Sequence, residues 1–120
     1  MPSVKFIEHK GKKILYEDYS DSKPADILPV LEQAKKLISS QPEGSVLALV
    51  NVQNSKFDRA LAAAMRDFVK ENTPYIKVSA VFGMEGLMSA VFSGIVHFTG
   101  RKNLKLFESI EDAKDFLAGL

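Results

Sequence analysis

Apolar and polar positions alternate through VKFIEH from Val4 and through KILYEDY to Tyr19, with Lys10-Gly11-Lys12 between them. A period of two on both sides of a glycine predicts two strands joined as a hairpin. From Asp26 to Ser40 the period changes. Ile27, Leu31, Ala34 and Ile38 recur at helical spacing, and Pro29 is tolerable only in a first turn, so the helix is placed to start at Asp26 as N-cap. SVLALVNV, Ser45 to Val52, is almost continuously apolar and valine-rich, which marks a central parallel strand covered on both faces. Phe57, Leu61, Met65 and Phe68 form the stripe of a second helix, closed at Asn72-Thr73-Pro74, and YIKVSAVFG from Tyr75 to Gly83 is another strand. A third helix over 84–99, a short strand from Asn103 to Phe107 and a last helix from Ser109 to Leu120 complete the order ββαβαβαβα. That order predicts an α/β fold: a mixed, mostly parallel five-stranded sheet with helices packed on it.

The third helix has too little polar surface. Glu85, Ser89, Ser93 and His97 recur every four residues and fill a sector of about 120°. Met84, Leu87, Met88, Val91, Phe92, Ile95, Val96 and Phe98 supply the rest, an apolar arc wider than one sheet face covers. This is the candidate ligand or partner face, to be met by neighbouring helices, a second copy in a homodimer or a small hydrophobic molecule. The charge-free run from Gly86 to Gly100 is shorter than the roughly 20 residues of a membrane span, which argues against a transmembrane segment. A membrane-surface helix would line its polar face with lysine or arginine, and here none comes before Arg101 and Lys102, which read as cations at a helix C-terminus.

Composition narrows the function classes. The chain has 120 residues, 46% of them apolar, enough for one core, so residues 1–120 are read as a single domain. Sixteen basic against fifteen acidic side chains give a net charge of +1, too little to gather nucleic-acid phosphates. Without cysteine there is no disulfide, thiol or iron–sulfur chemistry, and two histidines, His9 and His97, offer little to a metal. No cofactor or metal is expected. MPSVKFIEHKGKK carries no apolar leader core, so a cytoplasmic location is expected.

The candidate chemistry is sparse. Ser55 stands at the junction of the central strand and the second helix, where it reads first as an N-cap; Asn54, Ser55 and Asp58 are also the candidate regulatory loop if a phosphate were added there. The row Glu85, Ser89, Ser93, His97 has the residue types of a hydrolase but not convergence on one point, so no catalytic residue is assigned and no enzyme is expected. Glu17, Asp18 and Asp21 read as a solvated strand end. No G-x-G-x-x-G, Walker, G-x-S-x-G or H-E-x-x-H motif occurs.

GSVLALVNVQNSKFDRALAAAMRDFVKEN, TPYIKVSAVFG and the ending FTGRKNLKLFESIEDAKDFL resemble the bacterial anti-sigma-factor-antagonist-like (SpoIIAA-like) family of the STAS superfamily over nearly the whole chain. The resemblance implies the STAS fold, related to CRAL-TRIO lipid-transfer domains, and two kinds of role. One is binding of a hydrophobic small molecule, or self-association, through the helix over 84–99. The other is partner switching with a regulatory protein at the Ser55 loop. Where phosphoswitch antagonists end the central strand in aspartate and turn through D-S-S-G, this chain has Asn51 and Ser55-Lys56-Phe57-Asp58. The favoured expectation is a non-enzymatic domain that binds a hydrophobic ligand or itself.

Overall fold

The computed structural model describes residues 1–84, 89, 90, 92–94, 97 and 103–120. Strands β1 (Ser3–His9) and β2 (Lys12–Asp18) form the expected hairpin, in register from Ser3↔Asp18 to His9↔Lys12. Its two-residue turn needs positive φ at both positions. Gly11 supplies it freely at 81°, and Lys10 accepts it at 50°. Helix α1 (Pro24–Ser39), β3 (Val46–Asn51), α2 (Arg59–Asn72), β4 (Ile76–Phe82), β5 (Leu104–Phe107) and α3 (Ile110–Ala118) follow. Residues 89, 90, 92–94 and 97, between β4 and β5, are helical.

The five strands lie in sequence order, with β1 antiparallel to β2 and every later pair parallel. β3 is therefore the middle strand, and its residues Val46 to Leu49 are all buried, as the unbroken apolar run predicts. Period two divides the sheet into two cores. On one face Leu15, Ala48, Val52 and Val81 pack with Ile27, Leu31 and Ile38 of α1 and Leu61, Met65 and Phe68 of α2. On the other, Ile14, Leu47, Leu49 and Ala80 meet Ala113 and Leu117 of α3.

Two helix starts differ from the sequence reading. α1 begins at Pro24, with Lys23 as an N-cap that makes no side-chain bond, rather than at Asp26. The Lys23 carbonyl accepts from both Asp26 N (3.0 Å) and Ile27 N (3.1 Å). Pro24 at the first helical position loses nothing, and Ile27 is buried in the core. Pro29 then lies inside the helix, but it and Ala25, whose carbonyl it leaves without a helical donor, are both exposed, so water can serve that oxygen. α2 is capped by Asp58, whose carboxylate accepts from Leu61 N at 2.8 Å, and not by Ser55.

Candidate functional site

Strand pairing sets two rows across the face that carries α1 and α2. Glu17 is beside Val50, Val50 beside Val81 and Val81 beside Leu106; one step back, Leu15, Ala48, Ser79 and Leu104 line up in the same way. A one-residue bulge sits between these rows and the start of β4: Val46 pairs with Ile76 but Leu47 with Val78. The extra residue lets Ile76 share a face with Ser79 and Val81, which strict alternation forbids. Asn103 Nδ2 spans the bulge by donating to the carbonyls of Ile76 and Lys77, both at 3.0 Å.

Between these rows, the inner side of α2 and the side chain of Phe92 lies a cavity of about 30 Å³. Its walls are mostly apolar: Val50, Val81 and Leu104 from the sheet, Met65, Phe68 and Val69 from α2. Three polar side chains also line it. Glu17 is 2% exposed, Ser79 4% and Asn72 4%. Glu17 accepts a 2.9 Å hydrogen bond from Tyr19 Oη. Burial first, then the charge of Glu17 and that hydrogen bond, hold the Tyr19 phenol well above its ordinary pKa. Asn72 ends α2 on the same stripe as Leu61, Met65 and Phe68.

No protein-family model matches the chain, and no curated protein does. Among solved structures, an uncharacterized protein from the DUF3478 family with a SpoIIAA-like fold, from Shewanella loihica PV-4, is similar to it. The TM-score is 0.69, over 98% of this chain and 95% of that one, at 18% sequence identity. This chain has a SpoIIAA-like fold. The resemblance carried by its central strand, second helix and ending therefore holds at the level of architecture.

On this SpoIIAA-like fold the Ser55 loop lies at the C-terminal ends of β2 and β3, the edge where open α/β sheets gather ligands. It is tied down there. Tyr19 N donates to Asn51 O (2.8 Å), Asp21 N to Gln53 O (2.9 Å) and Lys56 N to Ser22 O (2.9 Å). Ser55 is 8% exposed, and its hydroxyl donates to Val52 O at 2.9 Å. Asn54 is exposed with φ 56°, and Asp58 caps α2. The carboxylates at the end of β2 are not uniformly solvated as the sequence suggests. Glu17 is buried, Asp18 accepts from Ser20 N and Oγ, and only Asp21 is exposed.

Of the face assigned to the third helix, Met84 and Phe92 are described, both half-buried against the core that holds α1 and α2. Leu87, Met88, Val91, Ile95, Val96 and Phe98 lie outside the described residues, as do Glu85, Arg101 and Lys102. Ser93 and His97 are exposed. Among the described residues no three histidine or acidic side chains come together to hold a metal, and no helix is long and apolar enough to cross a membrane.

The sequence reading missed Glu17, Asn72 and Ser79 as site residues. Spacing carried a signal for two of them. Glu17 falls at period two between Leu15 and Tyr19, and Asn72 continues the 61, 65, 68 stripe by four residues. Ser79 lies two residues before Val81 on this face, but both faces of β4 are apolar, so spacing there does not single it out.

Proposed function

We propose that this chain is a non-enzymatic binding domain that takes a small, largely apolar molecule with one polar group into the cavity beside Phe92. The observation that carries the reading is the cavity's lining, apolar on most sides and carrying the buried polar side chains of Glu17, Asn72 and Ser79. A ligand group that both donates and accepts, such as a hydroxyl or a carboxamide, matches the polar side chains, while an apolar body matches Val50, Met65, Phe68 and Val81. The present volume of about 30 Å³ accommodates one water-sized group. A larger ligand therefore enters as the half-buried Phe92 ring gives way, which links the cavity to the helix that carries it.

The test combines native mass spectrometry of protein purified from its own cells with titration of hexanol and hexanamide, read on the methyl resonances of Val50, Val69 and Val81. The expected result is a co-purified small molecule, or saturable methyl shifts that Asn72→Leu weakens. The reading fails if no molecule is bound and neither compound moves those methyls.

A further inference from the structure

A second concavity, separate from the cavity beside Phe92, runs between α1 and α2 with a volume of about 200 Å³. Its lining divides by chemistry. Leu28 and Leu31 of α1 and Ala64 and Phe68 of α2 make the apolar part. The charged part is Glu32 and Lys35 from α1 with Asp67 and Glu71 from α2, so acids outnumber bases three to one. Lys35 Nζ bridges the two helices to Glu71 at 2.6 Å. Its pKa is raised, first by that hydrogen bond and the charge of Glu71, then by Glu32 and Asp67, so all three carboxylates act on one point. This local excess of negative charge stands on a chain whose net charge is +1, so it is a property of the groove and not of the whole surface.

We propose that this groove docks a lysine- or arginine-bearing apolar segment of a partner protein. Lys35 shows how such a side chain is held, with an aliphatic stem along the groove and the cation among carboxylates. Lys35 engages Glu71, while Glu32 and Asp67, both exposed, remain to receive a second cation. The volume is below the roughly 300–1,000 Å³ of sites for drug-sized molecules, which suits an inserted side chain better than a whole ligand. An anionic surface, whether nucleic acid or acidic lipid, would meet like charge here. The apolar lining distinguishes a peptide from a bare polyamine, because only the peptide brings leucine-like groups to Leu28, Leu31, Ala64 and Phe68.

The experiment titrates the full chain with a synthetic helical peptide bearing leucine on one face and lysine on the other. Its counterpart with glutamate replacing lysine, and free spermine, serve as controls. Nuclear magnetic resonance shifts locate the contact. Binding of the lysine peptide is expected to centre on Leu28, Leu31, Ala64 and Phe68 and to weaken as salt rises. In the double variant Glu32→Lys with Asp67→Lys it is expected to fall about tenfold or more. Both positions are exposed, and circular dichroism checks that the variant remains folded at the temperature of the titration. The proposal is overturned if the lysine peptide does not bind, if it binds elsewhere, if the double variant binds it equally, or if spermine or the glutamate peptide binds as tightly.

Discussion

Tyr19 Oη donates a 2.9 Å hydrogen bond to Glu17 Oε1, a pair two residues apart on one sheet face. Their exposures are 1% and 2%. A carboxylate so deep in an apolar layer is tolerated only with polar partners, and the phenol is one of them. Tyr19 is itself fixed by its backbone N–H, which donates to Asn51 O at 2.8 Å, so the cavity wall is tied to the end of the central strand.

Tyr19→Phe keeps the ring and removes the donor, and it should cost about 1–3 kcal/mol because the buried Glu17 loses a partner. The cost should also depend on pH. The folded phenol keeps its proton above the ordinary value of 10.0, so this stabilisation is complete below about pH 10 and fades as pH rises towards the folded value. Urea unfolding from pH 8 to 11 checks both points. Wild type should lose stability at the alkaline end more steeply than the variant; parallel curves would contradict the assignment.

Gly83 follows β4 and leads into the helical residues that carry Phe92. Its φ is +93°, and a Cβ there would lie 2.6 Å from Gln53 N and 2.7 Å from Gln53 Cα, backbone that cannot step aside. Gly44 also has positive φ, at +69°, but a Cβ there meets nothing within 4 Å. Gly44→Ala should therefore cost about 1 kcal/mol of backbone strain, and Gly83→Ala clearly more. Comparing the two by thermal unfolding separates strain from collision.

The hairpin and the middle strand were legible because single residue types decided them: Gly11 between alternating runs, and the unbroken apolar run of β3. Helix starts were harder to read because two candidate caps compete within a few residues. At α1, Pro29 argued for a late start, yet Pro29 is exposed and is accommodated inside the helix, while Pro24 takes the first helical position. The site was obscured for a different reason. Glu17 and Asn72 are polar residues on apolar stripes, and only their spacing, not their type, places them inward. Ile76 joins Ser79 and Val81 on this face through a bulge that no local pattern announces.

Asp115 of α3 receives both His9 Nε2 and Lys10 Nζ, each at 2.9 Å, joining the hairpin turn to the last helix. The hydrogen bond from His9, then that from Lys10, hold its carboxyl below the ordinary 3.8. The stabilisation is thus present above about pH 3.8 and is lost as pH falls through the lower folded value. Calorimetry of wild type and Asp115→Asn from pH 6 to 2 should show two unfolding temperatures that converge at the acid end. A difference that stays constant would count against the contact.

Asp58 and Ser55 should behave differently although they lie three residues apart. Asp58 caps α2 from the surface, so Asp58→Ala should cost about 1 kcal/mol while Asp58→Asn, which also caps, should cost little. Ser55 is 8% exposed and bonded to Val52 O, so a carboxylate in its place has to be desolvated or has to open the loop. Ser55→Glu should therefore destabilise more than Asp58→Ala, with faster amide exchange at Ser55 and Lys56, the latter because its bond to Ser22 O breaks. Any kinase acting on Ser55 would need that opened loop. Unchanged exchange and unchanged stability in Ser55→Glu would mean that the loop accepts a negative charge as it stands, and phosphorylation there would then need no prior opening.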